Sequence, residues 1–501
     1  MNSKNAPWII IIVTGYIGWW LWASRFPLEL TSDDAYNFWL AIERFSVIEF
    51  RPHFPGYPAF VAMSKMVAYG LASNVPANVV VSLVFGCLIP ILVAGIVYMV
   101  CKSWFLAALG FVMITVQPLL LSISLSGLSD SMALALLLFS VAALIRQNYL
   151  IAGLFVAMML ATRPAYLPLA IGLAIHPLIS PVSVENSTSR IKAYFQVFSM
   201  IMLVGGISLW FVLRQDGLAY FEEGMRFTQG HFSIWGNTVH GEQNQWIQWW
   251  NSLTKGFGLY PVLIVLLLQC YTLTYFIRPR SHLASRSIFN LEVSRVQLKE
   301  EAIKTISFTS LIYWVWITFA QNPDNLRHWT PILTLFCILL PIAIGSFLNK
   351  SSEDDMGITG KSIISLKKFS SLLVAFLFFN SPSIHAIVSK SKPIHAPIQQ
   401  AINWVDVNPF IDLLGTNYSV NLARASLPNQ RIYDMYYPSS NHALLSAAST
   451  NPQSAWRLSG TPIDQTLVEI FPARFVGERT LYLYQINEQK ISKQENNNYE
   501  Q

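Results

Sequence analysis

Long apolar runs broken by short polar turns fill most of the chain, and they set its architecture. Trp8–Trp22 is the first run, Ala77–Val100 the second and Trp104–Ser126 the third. Ser129–Ile145 is a fourth, separated from the third by Gly127-Leu128 alone. Two short runs, Leu150–Thr162 and Ala165–Ile179, flank Arg163-Pro164. They are followed by Ala193–Leu213, Leu259–Ile277, Thr305–Gln321, Pro331–Leu348 and Phe369–Val388. A bilayer-spanning helix needs ~20 apolar residues, so the pattern predicts roughly eleven transmembrane or half-spanning helices. Beyond Ser389 the pattern changes. Pro397–Val405 and Asn441–Ala448 read as helices, Arg479–Ile486 alternates like a strand, and Ser492–Gln501 reads as disordered. The expectation is an α-helical polytopic membrane protein: a transmembrane catalytic domain over 1–388, with a first outer loop at 25–76, and a small α/β domain over 389–501.

Composition agrees. Of 501 residues, 53% are hydrophobic and only 12% charged, against about a quarter charged in soluble proteins. The net charge of +6 carries no nucleic-acid signal, because the basic residues sit in the turns between apolar runs. Lys102, Arg146, Arg190, Lys192, the group from Arg278 to Lys304, and Lys350 to Lys368 all fall on alternate turns. The positive-inside rule then places the N-terminus in the cytoplasm of a plasma or inner membrane. The loop with Asp33 and Asp34, the loop Arg214–Gly258, the short loop Asn322–Thr330 and the C-terminal domain share the outer face. The group from Arg278 to Lys304 reads first as a topology determinant and second as an anionic-lipid or partner site. Cys87, Cys101, Cys270 and Cys337 lie in or beside apolar runs without metal-ligand spacing and read as core residues.

Chemistry concentrates just after the first run. Asp33 and Asp34 precede a segment, Tyr36 to Phe45, that reads as an interfacial helix. A carboxylate at its N-terminus is stabilised by the dipole and suits a general base taking a proton from a hydroxyl. Plain solvation of the two acids is the competing account. His53-Phe54-Pro55-Gly56-Tyr57-Pro58 makes a rigid turn, and Lys65 follows in a segment better placed at the interface than at mid-bilayer.

An acidic pair after the first span, followed by His-x-Pro-Gly-Tyr-Pro, resembles the multi-spanning GT-C glycosyltransferases. The branch in view holds protein O-mannosyltransferases, lipid A aminoarabinose transferases and Rgt-like transferases. Ser126-Gly127-Leu128-Ser129-Asp130-Ser131, Thr162-Arg163-Pro164 and Asn325-Leu326-Arg327-His328-Trp329-Thr330-Pro331 extend the resemblance over roughly residues 8 to 350. The family often has Arg-Tyr where this chain has Arg327-His328, and His-Pro-Pro where it has His53-Phe54-Pro55.

The resemblance implies transfer of a sugar from a polyprenyl-phosphate donor to an acceptor hydroxyl at the outer face, with inversion and with Asp33 or Asp34 as base. Asp33 is favoured because it comes first. The leaving phosphate calls for cations, with Arg327 and His328 as candidates, helped by His53, Lys65 and Arg163. An interfacial arginine and a structural Asp130–Arg163 ion pair are the alternatives. No cofactor is required, though Asp33 and Asp34 could hold a divalent cation. In Arg214–Gly258, the spacing of His231 and His240 favours aromatic stacking by Trp235, Trp246, Trp249 and Trp250 over a metal site. A flippase of lipid-linked sugars and a non-catalytic subunit of the same fold are the rival readings. The acceptor, whether lipid, glycan or protein, is not legible.

Overall fold

The computed structural model of the chain describes residues 5–72, 74–176, 187–234, 245–277, 291–322, 325–351, 394–450 and 454–486. The expected span Phe369–Val388, the 388/389 boundary, the tail Ser492–Gln501, Trp235, His240, Glu242 and Asp324 lie outside these residues.

Every other expected apolar segment contains helix. The membrane part runs α1 (Ala6–Ala23), α2 (Asp33–Glu43), α3 (Pro58–Ala68), α4 (Ala77–Cys101), α5 (Trp104–Thr115), α6 (Leu120–Ser124), α7 (Asp130–Ile145), α8 (Tyr149–Thr162) and α9 (Leu167–Ala174). It continues with α10 (Ser187–Asp216), α11 (Ala219–Ile234), α12 (Gln245–Phe257), α13 (Leu259–Ile277), α14 (Leu291–Ala320) and α15 (Thr330–Ser351). Among the described residues, five helices are long and apolar enough to cross a bilayer, and a sixth span forms if α12 and α13, bent by 116°, are joined. The remaining expected runs appear as shorter apolar helices, the half-spanning kind: Pro118 interrupts the third run, and α7, α8 and α9 are too short to cross unaided.

Local chemistry sets the boundaries. Ser32, Ser103 and Asn148 cap α2, α5 and α8 by accepting backbone N–H bonds, and Pro58 opens α3. The expected loop Arg214–Gly258 is largely helical in its described part. There α11 and α12 carry one apolar and one polar face each, the pattern of helices lying along an interface. The basic segment before Lys304 is also partly helix, since α14 starts at Leu291. Within the bundle, α8 packs on α7 and α10, α4 on α5 and α7, and α9 on α14.

The C-terminal part is an α/β sheet domain. Its elements are α16 (Pro397–Asp406), β1 (Leu413–Thr416), α17 (Val420–Ser426), β2 (Arg431–Asp434), α18 (Pro438–Thr450), β3 (Ala455–Ser459), β4 (Thr466–Phe471) and β5 (Leu481–Gln485). The strand order is β2-β1-β3-β5-β4, with β1 parallel to β2 and β3, and β5 antiparallel to β3 and β4. Leu414, Trp456, Leu458, Leu481 and Leu483 form its core with Ile398 and Ile402 of α16. Leu30 and Tyr36 of the membrane part pack against that core, so the domain sits on the face that carries α2.

Candidate active site

Two consecutive residues on a helix point about 100° apart, and α2 uses this to send its two leading acids to different places. Asp33 turns towards the sheet domain, where its Oδ1 accepts the Leu422 N–H at 2.9 Å. Burial raises the Asp33 carboxyl above its ordinary value, opposed by the backbone N–H groups of Leu422, Asn421 and Val420. Asp34 turns towards the membrane part. Its Oδ1 lies 3.5 Å from His53 Nδ1 and its Oδ2 lies 3.9 Å from Arg327 Nη2, while 42% of the side chain remains exposed. At 3.9 Å the Arg327 contact is charge attraction rather than a formed hydrogen bond.

The Pro-Gly turn holds His53 in this position. Gly56 adopts a φ of +96°, and a Cβ there would meet Phe45 at 2.8 Å, so only glycine fits. His53 Nε2 is 2.9 Å from the Tyr57 hydroxyl, and the ring stacks on Phe227 of α11 at 5.5 Å. Tyr57 is pushed up to about 12, chiefly by burial, with Arg163 and Arg327 working against the shift. It therefore stays protonated at neutral pH.

Arg327 comes from a 3-10 turn, Leu326–Trp329, fixed by the Thr330 hydroxyl donating to the Arg327 carbonyl at 2.6 Å. Its Nε is buried and makes no hydrogen bond among the described residues. His328, next to it, is buried. Trp329 leaves the turn on the apolar side and meets Trp249 and Trp314 edge-on. These three line a cavity of about 170 Å³ with Leu253, Phe257 and Leu333.

The other candidates divide. Arg163 is buried and committed to Asp130 at 3.1 Å, with Ser129 Oγ at 3.3 Å. Lys65 lies exposed in the last turn of α3 and makes no ion pair among the described residues. The site thus brings together Asp34, His53 and Arg327. It adds Tyr57 and Phe227, which the sequence did not single out, although Tyr57 lies in the same turn as His53. Asp33, the acid favoured from its place in the sequence, lies against the start of α17, and Asp34 is the one beside His53 and Arg327.

No family model and no curated protein matches this sequence. Solved structures do. ArnT from Cupriavidus metallidurans, bound to undecaprenyl phosphate, superposes with a TM-score of 0.51 at 10% identity, over 95% of this chain and 98% of that one. The chain has the GT-C fold. The archaeal oligosaccharyltransferase AglB from Archaeoglobus fulgidus, in complex with an inhibitory peptide and a dolichol-phosphate, gives a TM-score of 0.45 at 11% identity, over 92% of this chain and 70% of that one. The GT-C fold is polytopic, and with the apolar helices described above it makes this an integral membrane protein. Within this fold, the Asp34–His53–Arg327 cluster lies on the face that meets the sheet domain.

Proposed function

We propose that the protein is a glycosyltransferase that moves a sugar from a polyprenyl-phosphate carrier to an acceptor hydroxyl, with inversion at the anomeric carbon. The observation that carries this reading is the placement of Arg327. Its guanidinium faces an accessible carboxylate, Asp34, and the same turn lines an apolar, Trp-walled cavity through Trp329. A charged head on an isoprenoid tail matches such a site, since the cavity takes apolar chain and Arg327 takes phosphate. Undecaprenyl phosphate bound to ArnT is consistent with this choice of donor.

The acceptor oxygen attacks the anomeric carbon, and its proton passes to Asp34. The bond from that carbon to the phosphate oxygen breaks, and polyprenyl phosphate leaves with the electron pair. Arg327 stabilises the growing charge on the phosphate. His53, stacked on Phe227 and held by Tyr57, orients Asp34. Arg163 supports the wall through its pair with Asp130. Asp33 is a docking residue in this scheme. Because its Oδ1 is already engaged by Leu422, the pair is not set to chelate an ion, and transfer is expected to proceed in EDTA. The N-terminus is cytoplasmic, and the sheet domain and the site face outwards.

The test is transfer from a panel of radiolabelled polyprenyl-phosphate sugars in membranes. Asp34→Asn is expected to lower turnover about 100-fold or more, while Asp33→Asn keeps most of it. Loss with Asp33→Asn and survival with Asp34→Asn would reverse the assignment. Wild-type protein inactive with every donor would remove the transferase reading.

A further inference from the structure

The sheet domain brings its own polar edge to the site. β1 and β3 are parallel neighbours, and the chain leaves β1 towards β2 on one side before returning to β3 on the other. In open α/β sheets, the crevice at the carboxyl ends of two such strands is where ligands are held. Here the two strand-end turns are Thr416–Ser419 and Ser459–Thr461, and this edge is turned towards α2. Asp33 fixes it there through the Leu422 N–H. Asp34, the next residue, is the one that faces Arg327 at 3.9 Å. The β1–α17 turn is thereby placed over the cluster.

Tyr418 occupies the middle of that turn. The Thr416 hydroxyl bonds both its carbonyl at 2.9 Å and its N–H at 3.0 Å, and Ser419 holds the left-handed conformation that follows. Its ring passes Gly460, with Cδ2 about 4.0 Å from where a Cβ would stand. The ring packs on the domain core, but its hydroxyl enters no hydrogen bond among the described residues. The charged groups that act on it are Glu478, Arg479, Arg327 and Asp33. Burial pushes the phenol up to about 12, which keeps it a donor at neutral pH. Arg479, exposed on the same edge, makes no ion pair among the described residues.

We propose that Tyr418 donates its hydroxyl proton in a hydrogen bond to the donor's phosphate beside Arg327, so that the sheet domain supplies part of the phosphate site. This rests on the lipid-phosphate reading above. It makes the domain a component of the site, whereas a domain that merely covers the bundle would have no reason to leave a phenol unpaired at this edge.

The experiment is equilibrium binding of undecaprenyl phosphate and of uncharged undecaprenol to the full-length protein in nanodiscs. Quenching of tryptophan fluorescence reads occupancy, because Trp249, Trp314 and Trp329 line the cavity below Arg327. Tyr418→Phe keeps the ring and its packing. It is expected to weaken undecaprenyl phosphate by about tenfold or more, the worth of one hydrogen bond to a charged group, and to leave undecaprenol unchanged. Equal binding of the phosphate by wild type and variant would overturn the proposal. So would an equal loss on both lipids, which marks a purely structural role. A wild type that does not distinguish the phosphate from the alcohol would overturn the donor reading itself, and the Tyr418 proposal with it.

Discussion

Adjacent carboxylates repel, and α2 relieves the conflict by giving each acid a different partner. Asp33 meets backbone N–H groups in a buried seam, and Asp34 meets the His53 ring and the Arg327 guanidinium in an open one. A pH effect follows. Burial raises the Asp33 carboxyl in the native protein above its unfolded value of 3.8, so the native state binds the proton more tightly. The stability this provides is full below 3.8 and is lost as pH rises through the native value. Asp33→Asn keeps an accepting oxygen and carries no charge. Its melting temperature is expected to exceed that of wild type near neutral pH and to converge with it in acid; differential scanning fluorimetry from pH 4 to pH 8 checks both. A variant less stable at neutral pH would show that the charge is net favourable there. Which acid faces which partner was not legible, since the sequence shows two identical residues and the distinction lies in a partner 389 positions away. Arg327 and His53 were legible, because each sits in a short polar turn between apolar runs, where few other reasons for a charge exist.

At the scale of elements, apolar runs announced nearly every helix of the bundle, because lipid leaves the backbone no alternative to internal hydrogen bonds. What they did not announce was length. Pro118 divides the expected run Trp104–Ser126 into the shorter helices α5 and α6, which gain their burial from neighbours. Glycines decide how close those neighbours come. A Cβ on Gly153 of α8 would lie 2.7 Å from the Val197 Cα and 2.8 Å from its carbonyl oxygen in α10, backbone that cannot swing aside. Gly153→Ala is expected to cost about 1–3 kcal/mol, the usual range for overpacking, visible as a lower melting temperature in detergent. Gly18→Ala in α1, where nothing lies within 4 Å, is the matched control and should not lower it. The amphipathic α11 and α12 escaped notice because acids, glycines and tryptophans mixed at short intervals read as a loop. That mixture is what a helix half in water and half in lipid requires.

At the scale of the molecule, the two parts are joined by a second acid from the same loop. Glu29 accepts from the Ala396 N–H at 2.5 Å, lies 2.9 Å from His395 and 3.3 Å from Arg474. Arg474, with only 1% of its side chain exposed, also pairs with Glu478 at 2.6 Å. Removing one member of a buried ionic group leaves the others uncompensated, at a cost of about 3–5 kcal/mol. Arg474→Ala should therefore loosen the sheet domain, read as faster limited proteolysis of its strands with the bundle intact; unchanged proteolysis would mean that Asp33 and the apolar seam suffice. Neither Glu29 nor Arg474 drew attention in the sequence, because a lone acid in a loop and a lone base in a polar tail look alike whether paired or solvated. The Asp33 contact also has a consequence in time. During synthesis the bundle leaves the ribosome first, and Leu422 follows 389 residues after Asp33. Until it arrives, Asp33 is hydrated and the β1–α17 turn is absent. A nascent chain already threaded into lipid thus holds Asp34, His53 and Arg327 before the sheet domain exists, and gains the contacts of that domain only once Leu422 has folded against Asp33.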